Sequence, residues 1–155
     1  MKLLFSTVAT LAMITALPAI ALEDRYLDAN GVKIRYIDTG NGPAIVLLHG
    51  GTSNLESWTT RGVVDNLARD FRVIAFDARG HGKSDAPRDP AAYGRQQALD
   101  VVRILDALKI ERAHIIGFSL GSSTVAQLLT LHPERFLTGV QVAGAGRSPK
   151  EANNP

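Results

Sequence analysis

Four continuous apolar runs, each passing into glycine or other small residues, constrain this chain more tightly than any other feature. They are "PAIVLLHGG" (43–51), "FRVIAFDARGHG" (71–82), "AHIIGF" (113–118) and "FLTGVQVAGAG" (136–146). A run without polar alternation suits a strand buried on both faces, and such strands belong to parallel sheets covered by helices. The intervening segments supply helix candidates. Ser57 to Arg69 is one. From Tyr93 to Lys109, the residues Ala98, Val101, Val102, Leu105 and Leu108 recur at helical spacing and predict one buried face. Leu120 to Leu131 predicts another helix, ended by His132-Pro133 because the residue before a proline is pushed out of the helical region. Ahead of the first run, "RYLDANGVKIRYIDTG" (25–40) reads as two strands joined at Asn30-Gly31, a pair suited to a two-residue hairpin turn. Strand and helix thus alternate with short connections. The expected fold class is α/β, a mainly parallel sheet flanked by helices. Ligands of such sheets bind beyond the carboxyl ends of the strands, where the loops at 49–54, 77–85 and 117–121 all lie.

The first 21 residues stand apart. "MKLLFSTVATLAMITALPAIA" begins with Lys2, continues as an apolar run from Leu3 to Leu17 and ends in small residues at Ala19 and Ala21, the pattern of a cleaved signal peptide. The run falls short of the roughly 20 residues that span a bilayer. Residues 1–21 are therefore expected to direct export to the periplasm or the medium. Residues 22–155 then form one partial α/β domain with no membrane association after cleavage. A formal charge of only +2, without an aromatic-rich basic stripe, argues against nucleic acid as a partner. The absence of cysteine excludes a disulfide framework and a thiolate zinc site. No metal-ligand cluster is evident, so neither a metal nor an organic cofactor is expected, and a small molecule is the expected substrate.

The chemistry concentrates at "GFSLG" (117–121), where Ser119 stands between Gly117 and Gly121 at the junction of strand and helix. A serine hydroxyl is a weak nucleophile until a base takes its proton and dipoles hold the resulting oxyanion. A sharp strand-to-helix turn lifts such a side chain above the sheet edge and tolerates only small residues two positions away on either side. The same turn aims the Leu120 N–H, at a helix N-terminus, toward the place where negative charge develops. A second donor is expected from "HGGT" (49–52), with Gly51 N–H first and Thr52 N–H next. His49 has no obvious carboxylate partner and reads as a residue that orients this loop by hydrogen bonding. "DARGHGKSD" (77–85) ends like a phosphate-binding loop, but that motif needs glycine where Asp77 stands, and Asp85 to Pro87 interrupt any following helix. It reads instead as a tight turn closed by Asp77, Arg79 and the glycines, with His81 in its packing.

"LLHGG", "VIAFDARGHGKSD", "IIGFSLGSS" and "LHPERF", in this order and spacing, resemble the N-terminal half of an α/β-hydrolase-fold serine hydrolase. The resemblance covers roughly residues 25–146. It implies Ser119 as nucleophile and the amides of Gly51 and Leu120 as the oxyanion hole. Serine rather than aspartate at 119 points away from the superfamily's epoxide hydrolases and haloalkane dehalogenases. Esterases, lactonases, carbon–carbon bond hydrolases and cofactor-free haloperoxidase-like enzymes remain.

The family's triad runs serine, acid, histidine along the chain. After Ser119 the only histidine is His132, beyond a helix that carries the chain about 18 Å away. The acidic residues after the serine, Glu134 and Glu151, are not followed by a usable histidine. The expectation is a hydrolase cut before its cap, its last strands and its triad acid and base, with the final apolar strand left as an edge. The alternatives are a non-catalytic module of the same fold that binds a small molecule or partner, and a C-terminal half supplied by a separate chain.

Overall fold

The computed structural model describes residues 22–144. The expected export segment and the residues after Gly144, Glu151 among them, lie outside the described residues. Six strands form one sheet: β1 (Arg25–Asp28), β2 (Lys33–Thr39), β3 (Ala44–Leu48), β4 (Arg72–Phe76), β5 (Ala113–Phe118) and β6 (Phe136–Val142). Four helices connect them: α1 (Glu56–Thr59), α2 (Val63–Leu67), α3 (Arg95–Ala107) and α4 (Leu120–Leu131). The spatial order is β1-β2-β4-β3-β5-β6. Strands β4, β3, β5 and β6 run parallel, while β1 and β2 add an antiparallel hairpin at one side. The α/β architecture read from the sequence is the observed one.

Asn30 and Gly31 turn that hairpin with φ of 61° and 80°, and the Gly31 N–H donates to Asp28 Oδ1 at 2.6 Å. The two positive φ values are what this tight turn demands. The chain then enters the sheet centre at β3, in which every residue is buried. It steps to β4 on one side of β3 and returns to β5 on the other. That reversal opens a crevice at the carboxyl ends of β3 and β5, and the site is built there.

Alternation along the central strands divides the core in two. Val46 and Leu48 of β3, Ile74 and Phe76 of β4 and Ile115 of β5 pack under α3 and α4, against Val101, Ile104, Leu105, Val125 and Leu128. Ile45, Leu47, Val73 and Ala75 face the other way, toward Leu55, Val64 and Trp58. Full burial of each large side chain contributes roughly 1.5–3 kcal/mol, so the paired clusters hold the strand ends beneath the site.

Three elements differ from expectation. The helix expected over 57–69 is broken into α1 and α2, because Gly62 at φ 67° takes a left-handed turn between them. Helix α3 starts two residues late, after Gly94 at φ 59°, and its buried face carries Ile104 and Asp100 besides Ala98, Val101 and Leu105. Val102 and Leu108 lie half-buried at its margin. Strand β6 pairs with β5 alone among the described residues, and Leu137, Val140 and Val142 remain 44%, 47% and 42% exposed. Among the described residues no helix is long and apolar enough to cross a membrane.

Candidate active site

Ser119 occupies a backbone conformation that side chains avoid, with φ 52° and ψ −107°. Such a conformation costs on the order of 1–3 kcal/mol and persists only where its surroundings enforce it. Here β5 runs straight into α4 with Ser119 as the one residue between them. A side chain at Gly117 would overlap the backbone of Gly121, and one at Gly121 would overlap the carbonyl of Leu48. Both glycines are therefore dictated by close backbone approach. The Ser119 N–H donates to Val142 O at 2.9 Å, and its carbonyl accepts from Ser122 N–H at 2.9 Å. The buried Ser122 hydroxyl lies 2.7 Å from Gly117 O and accepts from Val142 N–H at 3.1 Å, pinning α4 to β5 and β6. The Ser119 side chain is exposed, and its hydroxyl makes no hydrogen bond among the described residues.

The loop after β3 leans onto this elbow. A Cβ built on Gly50 would stand 3.5 Å from Ser119 Cβ, and one on Gly51 would stand 3.7 Å from Leu120 Cβ. The Gly121 N–H donates to His49 O at 3.2 Å and joins the two loops. Among the described residues, the N–H groups of Gly51, Thr52 and Leu120 have no hydrogen-bond partner. The three expected site residues, Ser119, Gly51 and Leu120, thus converge at the carboxyl ends of β3 and β5. Chemically, this is an exposed hydroxyl beside free amides at the N-terminus of a twelve-residue helix.

Comparison with known proteins gives the family of the fold. The family model for the alpha/beta hydrolase fold matches residues 43–154. The chain belongs to the α/β-hydrolase family. It is 37% identical to 2-hydroxymuconate semialdehyde hydrolase of a Pseudomonas species over 80% of this chain and 44% of that protein. It is 36% identical to the dihydrolipoyllysine-residue acetyltransferase component of the acetoin cleaving system of Cupriavidus necator, over 79% of this chain and 32% of that protein. A solved hydrolase from Pseudomonas aeruginosa superposes with a TM-score of 0.73 at 32% identity, covering 81% of this chain and 48% of that one. The chain therefore spans about a third to a half of the length of these relatives.

In this family member two histidines, His49 and His81, hold the loops beside the elbow by hydrogen bonds. His49 is buried; Ala78 N–H donates to its Nε2 at 3.0 Å, so Nδ1 carries the proton and donates to Gly50 O at 2.7 Å. Burial holds its pKa below the ordinary 6.5 and favours the neutral ring. His81 Nε2 lies 2.7 Å from Gly51 O, and its Nδ1 lies 3.2 Å from Arg79 O. His132 is not brought to the site: it caps the far end of α4, with Nδ1 3.5 Å from Glu134.

Beneath the loops lie charges that sequence reading placed only in part. Asp77 is buried, with Oδ1 accepting from Leu55 N–H at 2.8 Å and Oδ2 accepting from Lys83 N–H at 2.8 Å. Arg35 reaches Asp77 at 3.2 Å and also pairs with Asp24 and Glu56. Burial acts to lower the Arg35 pKa, but its hydrogen bonds to these three carboxylates raise it overall. Lys83 first, then Arg35, hold the Asp24 carboxyl below the usual carboxylate range. Arg79 forms a buried fork with Asp100, at 2.7 and 2.6 Å, and donates to Ala92 O at 2.6 Å. Asp100 carried a legible signal, since it interrupts an apolar helix stripe. Arg35 carried a weaker one, a charge beside Ile34 in a buried strand.

Proposed function

We propose that this chain carries the nucleophile of a serine hydrolase acting on ester-like or related carbonyl bonds. The observation that carries the reading is Ser119, held at φ 52° with its hydroxyl exposed beside the free amides of Leu120 and Gly51. In the reaction, Ser119 Oγ attacks the substrate carbonyl and the oxyanion forms against those amides. A histidine takes the serine proton and returns it to the leaving group, and water then releases the acyl group. That histidine and its acid come from outside residues 22–144, because both ring nitrogens of His49 and Nε2 of His81 are already hydrogen-bonded, and His114, near the start of β5 and bonded to Thr138, and His132 are remote. The exposed apolar side chains of β6 support further chain, continuous or separate, covering that side. A relative named for hydrolysis of a semialdehyde is in line with a small carbonyl substrate.

Ser119→Ala in the full-length protein tests the assignment. Hydrolysis of activated esters falls by about 10⁴-fold or more, since the nucleophile and its base act as a unit. Retained turnover contradicts the serine mechanism, whereas ligand binding without turnover in the unsubstituted protein leaves a binding module of the same fold. Export is tested separately by sequencing the N-terminus of the protein recovered from its host: the reading gives a mature chain starting at Leu22.

A further inference from the structure

We infer that His81 is a positioning residue for the oxyanion loop, its Nε2–H holding the Gly51 carbonyl and so fixing the turn that carries the free N–H groups of Gly51 and Thr52. This rests on the serine hydrolase reading above. The two glycines at 50 and 51 have no side chains to anchor them, and Gly51 and Thr52 are exposed. Their peptide planes are held from outside instead. In a trans peptide the C=O and N–H point in opposite directions. Gly50 O accepts from His49 Nδ1 at 2.7 Å and from Ser53 N–H at 3.1 Å, which turns the Gly51 N–H away from those donors. Gly51 O lies 2.7 Å from His81 Nε2; a carbonyl can only accept, so that nitrogen carries the hydrogen. The Thr52 N–H is turned the opposite way and is free among the described residues.

His81 can impose this orientation because its own loop is rigid. Gly80 N–H donates to Asp85 O at 2.8 Å, His81 N–H to Ala78 O at 2.9 Å and Ser84 N–H to His81 O at 3.1 Å. Ser84 Oγ donates to Asp77 O at 2.7 Å, and Tyr93 packs against Gly80. The rings of His49 and His81 stand 5.1 Å apart, forming one bracket across the loops after β3 and β4.

The experiment compares His81→Phe, His81→Gln and Ser119→Ala in the full-length protein, with ester turnover and the affinity of an alkyl boronic acid as readouts. The boronate forms a tetrahedral adduct on an active serine and so reports the oxyanion site. His81→Phe is expected to lower kcat by about 10- to 100-fold with KM changed less than about twofold, and to weaken the boronate by a similar factor. Gln, whose amide N–H can donate to Gly51 O, recovers part of both. Should Phe prevent folding, His81→Leu removes the same donor with less bulk. Wild-type kcat and boronate affinity in a folded His81→Phe or Leu variant overturn the proposal, as does a loss confined to KM. Turnover that survives Ser119→Ala removes the Ser119-nucleophile reading and the proposal with it. Turnover lost in Ser119→Ala but untouched at His81 removes the positioning role alone.

Discussion

The backbone at Ser119 separates stability from function within one residue. Its φ of 52° is unfavourable for serine and ordinary for glycine, so Ser119→Gly is expected to stabilise the fold by about 1 kcal/mol while removing the proposed nucleophile. Chemical denaturation measures it, and a less stable glycine variant contradicts enforced strain. Gly121→Ala acts in the other direction. Its Cβ would meet the backbone of Leu48, with an expected loss of about 2 kcal/mol or more in the same assay. His49 adds a pH dependence. Its folded pKa lies below 6.5, so the unfolded chain binds the proton more readily. Its contribution to stability is complete above about pH 6.5 and is lost as the pH falls below that value. His49→Gln should flatten the slope of stability against pH between pH 5 and 7, and an unchanged slope would assign it to other groups.

Among the elements, the loop after β4 and helix α3 depend on one buried ion pair. Asp100→Ala leaves the Arg79 guanidinium without its carboxylate inside the core, and breaking such a pair costs roughly 3–5 kcal/mol. Replacing both residues with apolar ones should recover much of that loss in thermal unfolding, and equal losses in the single and double variants would contradict the assignment. Element by element, the sequence was informative where the signal was local. The apolar runs became the central strands, and Asn30-Gly31 became the hairpin turn. The break at Gly62 was less legible, because a single glycine within a helical pattern states neither its φ nor its tertiary neighbours. The pairing of Arg79 with Asp100 was hidden for a related reason: the partners lie 21 positions apart and meet only once α3 packs. At the site, Ser119, Gly51 and Leu120 were readable from spacing. The bracket formed by His49 and His81 was not, since it depends on β4 lying beside β3.

At the scale of the molecule, the two edges of the sheet differ among the described residues. On the β1 side, Arg25 of β1, Asp38 of β2 and Arg72 of β4 form one ion-pair group. Toward β6, exposed Leu137, Val140 and Val142 leave an edge of the kind that recruits another strand. In the proposed function, the nucleophile and its amide donors lie in residues 22–144 and the proton-transfer groups lie outside them. The most direct measurement is fluorophosphonate labelling of the full-length protein, followed by mass spectrometry of the modified peptide. One adduct per chain is expected, on Ser119, formed rapidly because phosphonylation requires an activated serine. An adduct on another residue, or none under conditions that label active serine hydrolases, would contradict it.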